Sequence, residues 1–246
     1  MNKVDVLGIE IDSVNRTEFN EIIKSFLKGD QQRIVLYVNI HGVLLALKNN
    51  WMLEFYKQSD LVGCDGAGVI WGSKLLGNKI VERVSLTDLS WILLEIFRND
   101  GNSLFVLGNN DDVLARAASR LKSRYPGLKI NGMHNGYFDM EGEQNLEVVE
   151  KINLSGAEVL FVGMGMPMQE KWILDNRDKL NAKLIITCGG LLKFWSGDHK
   201  RCPLWVSKIG LEWFYKFLKE PVRLFSRYFP GNFTFFFKII RSRIYR

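Results

Sequence analysis

The chain has 246 residues, 47% of them hydrophobic and 24% charged, with 33 Lys and Arg against 27 Asp and Glu. That length and polarity suit one substantial core with a small appendage, and exclude a disordered or collagen-like chain. Three cysteines are too few for a disulfide scaffold and point to a reducing compartment.

The net charge of +6 is unevenly spread. Residues 208–246 hold nine basic and two acidic side chains, a local net of +7, whereas residues 1–207 hold 24 basic and 25 acidic ones. The same 39-residue tail carries 12 of the 30 aromatic residues. A nearly neutral body argues against a nucleic-acid partner. A basic, aromatic tail suits an anionic membrane surface. We therefore expect a body over residues 1–203 and a membrane-associating appendage over residues 204–246. Met1–Gly8 is short, and Glu10 and Asp12 follow at once, so it does not read as a leader. No apolar run reaches the roughly 18–20 residues that span a bilayer.

Along the body, apolar runs of strand length alternate with amphipathic runs of helix length. The strand candidates are Val4–Leu7, Ile34–Val38, Leu104–Leu107, Leu128–Asn131, Val159–Val162 and Leu184–Thr187. The helix candidates between them are Thr17–Leu27, Gly42–Lys48, Ala67–Leu75, Asp88–Phe97, Asp111–Arg124, Glu143–Lys151 and Gln169–Arg177. This alternation predicts an α/β class: a Rossmann-like body with a mostly parallel sheet. Ala115, Ala117, Ala118 and Leu121 are expected to form a buried helical face. The continuous apolar run Val159–Val162 suits a central parallel strand covered on both sides. In the tail, Leu211, Phe214, Tyr215 and Leu218 recur at helical spacing, Pro221 interrupts them, and Pro230-Gly231 predicts a further turn. The helical, basic appendage is read as lying on a membrane.

Open parallel sheets bind ligands beyond the carboxyl ends of their strands. Asn39-Ile40-His41-Gly42 follows Ile34–Val38, and Cys64-Asp65-Gly66-Ala67-Gly68 follows the short run Leu61-Val62. Gly163-Met164-Gly165-Met166-Pro167-Met168-Gln169-Glu170 follows the strongest strand. Glycines let the backbone approach a ligand, and a following helix offers free N–H groups. The Gly163–Gln169 stretch is thus a phosphate or nucleotide candidate, or else simply a tight turn. A carboxylate at Asp65 would accept a proton from a hydroxyl nucleophile, or cap the next helix. Arg83 would hold a diphosphate through its fork of donors, or pair with Glu82 or Asp88. Thr87-Asp88 reads mainly as a helix start, and Asn39 and His41 as crevice-lining or structural groups. The GxGxxG and P-loop spacings are absent, and no metal, cofactor or redox motif is read.

In order and spacing, these stretches resemble the WecG/TagA/CpsF glycosyltransferase family. The resemblance rests on Asn39, Asp65-Gly66-x-Gly68, Glu82-Arg83-Val84 with Thr87-Asp88-Leu89, and His134-Asn135-Gly136-Tyr137-Phe138. Its most specific part is Gly163-x-Gly165-x-Pro167-x-Gln169-Glu170-x-Trp172. The tail adds Arg201-x-Pro203, Gly210-Leu211-Glu212-Trp213, Glu220-Pro221-x-Arg223-Leu224 and Arg227-Tyr228. Cys64, Leu86, Cys188 and Cys202 depart from the family's usual residues.

The resemblance implies an inverting enzyme that transfers a sugar from a nucleotide donor, UDP-linked as a rule. The implied acceptor is a saccharide on a polyprenyl diphosphate at the inner face of the cell membrane, in cell-surface polysaccharide synthesis. Neither a metal nor a cofactor is implied. Asp65 becomes the general base and Arg83 the support of the leaving diphosphate. Asn39, His41, Gly66, Thr87, Asp88, Asn135, Tyr137, Gly163, Gly165, Gln169 and Glu170 would bind donor or acceptor. Arg201, Arg223 and Arg227 would meet the acceptor diphosphate or the lipid surface. A homo-oligomer is compatible with this reading. A nucleotide-sugar hydrolase and a non-catalytic membrane-associated scaffold are the competing readings.

Overall fold

A computed structural model describes residues 2–208 and 210–245, the side chains of Leu204, Lys208, Arg223, Ser226 and Arg227 excepted. In chain order the elements are β1 (Lys3–Val6), β2 (Ile9–Asp12), α1 (Arg16–Lys28), β3 (Arg33–Val38), α2 (Ile40–Ala46), α3 (Asn50–Gln58), β4 (Leu61–Cys64) and α4 (Ala67–Leu75). Next come α5 (Leu86–Asp100), β5 (Ser103–Gly108), α6 (Asp111–Arg124), β6 (Lys129–His134), α7 (Gly142–Leu154), β7 (Val159–Gly163) and α8 (Met168–Asn176). The chain ends with β8 (Leu184–Thr187), α9 (Leu191–Ser196), α10 (Leu204–Lys208), α11 (Glu212–Lys219) and α12 (Pro221–Ile244).

The chain divides into two compact units. One comprises Met1–Arg16, Tyr37–Ser85 and Arg201–Arg246; the other comprises Thr17–Leu36 and Leu86–Lys200. In the second, the first part of β3, then β8, β7, β5 and β6 lie side by side in that order, all parallel. Every residue of β7 is buried, as its uninterrupted apolar run requires. Helix α6 begins at an Asn110 cap, whose side chain accepts the Val113 N–H at 2.9 Å, and Asp111 and Asp112 favour the positive end of its dipole. Its buried face is Val113, Leu114, Ala117 and Leu121. Ala115, expected inside, is exposed, because the stripe is set by the larger Val113 and Leu114. The parallel sheet with flanking helices is the Rossmann-like core that the alternating pattern predicts.

In the first unit, β1 and β2 form an antiparallel pair with Val6 opposite Ile9. The expectation that Val4–Leu7 belongs among the strands of the parallel sheet is corrected here. Leu7 and Gly8 both take positive φ, 56° and 90°, and reverse the chain as a two-residue hairpin turn. Helix α3, outside the helical stretches expected from the sequence, buries Met52, Phe55 and Tyr56 at helical spacing. The short run at Leu61 becomes the fully buried β4, a neighbour of β3.

As expected, the helix that carries Phe214, Tyr215 and Leu218 stops before Pro221, α11 ending at Lys219; Pro221 then opens α12, where a first-turn residue has no helical N–H bond to lose. The turn expected at Pro230-Gly231 is absent, and α12 runs through both residues to Ile244. An interior proline costs about 3 kcal/mol. Burial offsets it: Phe235 and Ile239 are wholly buried, and each such side chain contributes about 1.5–3 kcal/mol. Phe235 fits because Gly72 of α4 has no side chain; a Cβ there would stand 2.7 Å from the ring. Opposite this inner face, Val222, Phe225, Phe229, Phe233, Phe237, Ile240 and Ile244 are exposed and recur every three or four residues. They make one apolar stripe along the helix. Among the described residues no helix is long and apolar enough to cross a membrane.

Candidate functional site

The first unit gathers a charged cluster where β4 ends. The Asp65 N–H donates to the Val38 carbonyl at 2.9 Å, which sets the start of the β4–α4 loop beside the end of β3. Gly68, in the first turn of α4, lets that turn lie against the start of α2, whereas a side chain at Gly66 would make only ordinary contact. A Cβ on Gly68 would meet Ile40 Cδ1 at 2.4 Å, and one on Gly66 would lie 3.4 Å from Asn39 Cβ. Asn39 caps α2, its side-chain oxygen accepting the Gly42 N–H at 3.1 Å, and His41 follows in the first turn. Asp65 is not the cap of α4, whose N-cap position is Gly66.

Val84 N–H donates to the Cys64 carbonyl at 2.9 Å, so Arg83 stands beside the end of β4. The Asp65 carboxyl is raised above the ordinary carboxylate range by burial, and Glu212 adds to the rise. Lys216, a hydrogen bond from Ser85 and the Arg83 charge oppose it. A carboxylate tuned upward is a better proton acceptor. Arg83 does not pair with Glu82, which instead binds Arg16 at 2.9 Å. Arg83 donates to Glu212 Oε2 at 3.0 Å and to Ser207 Oγ at 2.7 Å. Arg201 and Lys216 each reach Glu212 Oε1 at 2.9 Å. Burial alone would raise the Glu212 carboxyl, but Lys216, Arg201 and Arg83 outweigh it and hold it at about 2. The neighbouring Cys64 thiol is pushed up to about 12 by burial and is no nucleophile.

The second unit holds the glycine-rich loop between β7 and α8, which contains a cis Met166–Pro167 bond. A Cβ on Gly163 would meet Cys188 Sγ at 2.9 Å, whereas Gly165, at φ 88°, faces open space. Gln169 is buried and turned inward. Its side-chain oxygen accepts the N–H groups of Gly165 at 3.2 Å and Gly189 at 3.1 Å, stitching the loops after β7 and β8 together. Its side-chain nitrogen donates to Glu170 Oε1 at 2.8 Å. Trp172, Asn145 and Asn176 close a buried hydrogen-bonded ring that ties α8 to α7. In the loop after β6, Asn135 donates to the Asp111 carboxylate and accepts the Tyr137 N–H at 3.1 Å, leaving the Tyr137 ring exposed. Thr87 and Asp88 lie in the first turn of α5.

Of the predicted site residues, the first unit thus contains Asn39, His41, Asp65, Gly66, Arg83 and Arg201. The second contains Thr87, Asp88, Asn135, Tyr137, Gly163, Gly165, Gln169 and Glu170. The Arg223 and Arg227 side chains lie outside the described residues. Sequence reasoning missed Ser85, Ser207, Glu212 and Lys216. The usable signal was Glu212 itself, one of only two acidic residues in the basic tail, with a lysine four residues on.

Glu170 carries a separate prediction. Its carboxyl is pushed up to about 7 by burial, against the hydrogen bond from Gln169, and among the described residues its Oε2 has no partner. Below pH 4.5, the ordinary value, the group is protonated folded or unfolded. Between there and pH 7 the unfolded chain gives up its proton first, so stability falls as pH rises, by about 3 kcal/mol in total. Urea unfolding at pH 5 and pH 8 should show this loss in the unchanged chain and its absence in Glu170→Gln. Equal pH slopes in the two proteins would contradict it.

Comparison with known proteins gives the site its class. A profile described as "Glycosyl transferase WecG/TagA/CpsF family" matches residues 4–246. A Staphylococcus aureus (strain MW2) protein named N-acetylglucosaminyldiphosphoundecaprenol N-acetyl-beta-D-mannosaminyltransferase is 30% identical over 224 residues, 90% of this chain and 87% of that one. Proteins of the same name from strains MRSA252 and NCTC 8325 / PS 47 are 31% identical over the same shares. The parallel sheet and its loops are therefore those of a glycosyltransferase. The chain belongs to the WecG/TagA/CpsF family.

Proposed function

We propose that the protein transfers a hexosamine from a UDP-linked donor to a saccharide carried on a polyprenyl diphosphate, with Asp65 as general base. The observation that carries this is the Asp65 carboxylate, tuned upward by burial and accompanied by Arg83, Arg201 and Lys216. The relatives' name, which describes transfer to a diphosphoundecaprenol-linked sugar, supports the substrate class. Asp65 takes the acceptor hydroxyl proton as that oxygen bonds to the anomeric carbon. The bond from that carbon to the donor phosphate breaks, and its electron pair leaves with the diphosphate. Arg83 stabilises the charge developing there, which preorganised donors do best in a dry site.

Donor and acceptor recognition is assigned to Asn39, His41 and Gly66 in the first unit, and to Thr87, Asp88, Asn135, Tyr137 and the Gly163–Glu170 loop in the second. Gln169 and Glu170 serve by fixing that loop's shape. Residues 1–203 form the sugar-transferring body. Residues 204–246 are the membrane-associating appendage, with the α12 stripe in the lipid interface and Lys238 and Arg241 toward anionic headgroups. Arg201, Arg223 and Arg227 meet the acceptor diphosphate. The enzyme works peripherally, on the cytoplasmic face of the membrane.

A panel of nucleotide sugars, tested with anionic vesicles carrying a polyprenyl-diphosphate saccharide, identifies the donor. We expect one UDP-hexosamine to extend the lipid. Donor hydrolysis without lipid extension, or nucleotide binding without either, would replace this reading with the hydrolase or the scaffold.

A further inference from the structure

We propose that Glu212 is a positioning residue for the transfer reaction, holding Arg83 in the orientation in which it meets the substrate diphosphate; this rests on the function proposed above. Glu212 is the first residue of α11, yet its side chain is only 12% exposed. Three cations from separate places converge on it: Arg83 from the segment after α4, Arg201 from the stretch between α9 and α10, and Lys216 one turn along α11. An ordinary surface ion pair joins two partners and contributes little. A largely buried carboxylate with a cation on each oxygen instead fixes the geometry of everything that touches it.

Arg83 shows the consequence most clearly. One terminal nitrogen donates to Glu212 and the other to Ser207 of α10. Both anchors belong to the appendage, so the appendage sets the plane of the guanidinium. A planar fork recognises a diphosphate only when that plane is correct, and a free arginine would lose rotamer entropy to adopt it. The cluster also keeps a positive balance. Arg83, Arg201 and Lys216 supply three charges against those of Glu212 and Asp65, leaving one in excess for an anionic substrate. Docking of α10 and α11 thereby completes the diphosphate side of the site.

The test is a double-mutant cycle in the full chain with anionic vesicles. The unchanged protein, Glu212→Gln, Arg83→Lys and the double variant are compared for UDP affinity and for kcat. Each single change should cost about 10- to 100-fold, and the double variant should be no worse than the worse single one. Glu212→Asp should restore part of the loss. Ser207→Ala, which removes the other anchor, should shift the same quantities about three- to tenfold, and it decides the matter if Glu212→Gln fails to fold. Losses that multiply in the double variant, or a Glu212→Gln protein within about twofold of the unchanged one, would overturn the proposal. If the unchanged chain binds UDP but transfers nothing, the proposed function fails, and the cycle on UDP affinity still decides the role of Glu212. If it binds no UDP, both fall.

Discussion

Asp65→Asn should lower kcat by about 10²–10⁴-fold, the usual contribution of a positioned general base. The amide is nearly the same size and can still accept the Ser85 hydrogen bond, so the loop after β4 should keep its shape. Removing a negative charge near Arg83 should leave UDP affinity unchanged or slightly stronger. The variant therefore separates chemistry from binding: kcat falls while the donor complex forms. The pH profile of the unchanged enzyme should agree. Burial raises the Asp65 carboxyl, so activity is lost as pH falls through a value above the ordinary carboxylate range. Near-normal turnover in Asp65→Asn would remove the base assignment.

The second large effect is expected on the outer face of α12. Phe233, Phe237 and Ile244 are exposed along one stripe, with no role in the inner contact made by Phe235 and Ile239. Changing all three to Glu should weaken binding to anionic vesicles about a hundredfold or more, because each buried apolar side chain is worth about 1.5–3 kcal/mol and each new carboxylate repels the surface. Flotation with vesicles measures this directly, and melting temperature should hardly change. Deleting the appendage is the poorer test. It would uncover the α4 surface around Gly72 that Phe235 fills, and it would remove both anchors of Arg83. If the triple variant floats with vesicles as the unchanged chain does, the stripe is not the membrane contact.

Some of this was legible in the residues alone. Val159–Val162 is apolar without interruption, and only a strand covered on both faces needs that. Asp65 stood out because a carboxylate in a glycine turn after a strand lies where ligands bind. Other features depend on partners distant in the chain. Arg83 finds its anchors 124 and 129 residues away, so a local reading could offer only Glu82 or Asp88. Gln169 was visible as a loop residue, but its inward turn depends on the Gly189 N–H, 20 residues further on. Val4–Leu7 has the apolar character of a strand, which says nothing about the direction of its neighbour; the positive φ of Leu7 and Gly8 decides that. Pro230-Gly231 carries strong local turn chemistry, and the burial of Phe235 and Ile239 overrides it.

The central claim is sugar transfer to a lipid-linked acceptor with Asp65 as base. Its most direct test counts two products in one reaction, on vesicles that carry the polyprenyl-diphosphate saccharide and with the donor that the panel identifies. UDP released and lipid extended by one sugar should appear in equal amounts with the unchanged chain, and both should nearly vanish with Asp65→Asn. UDP release without lipid extension, or equal lipid extension by Asp65→Asn, would contradict the account.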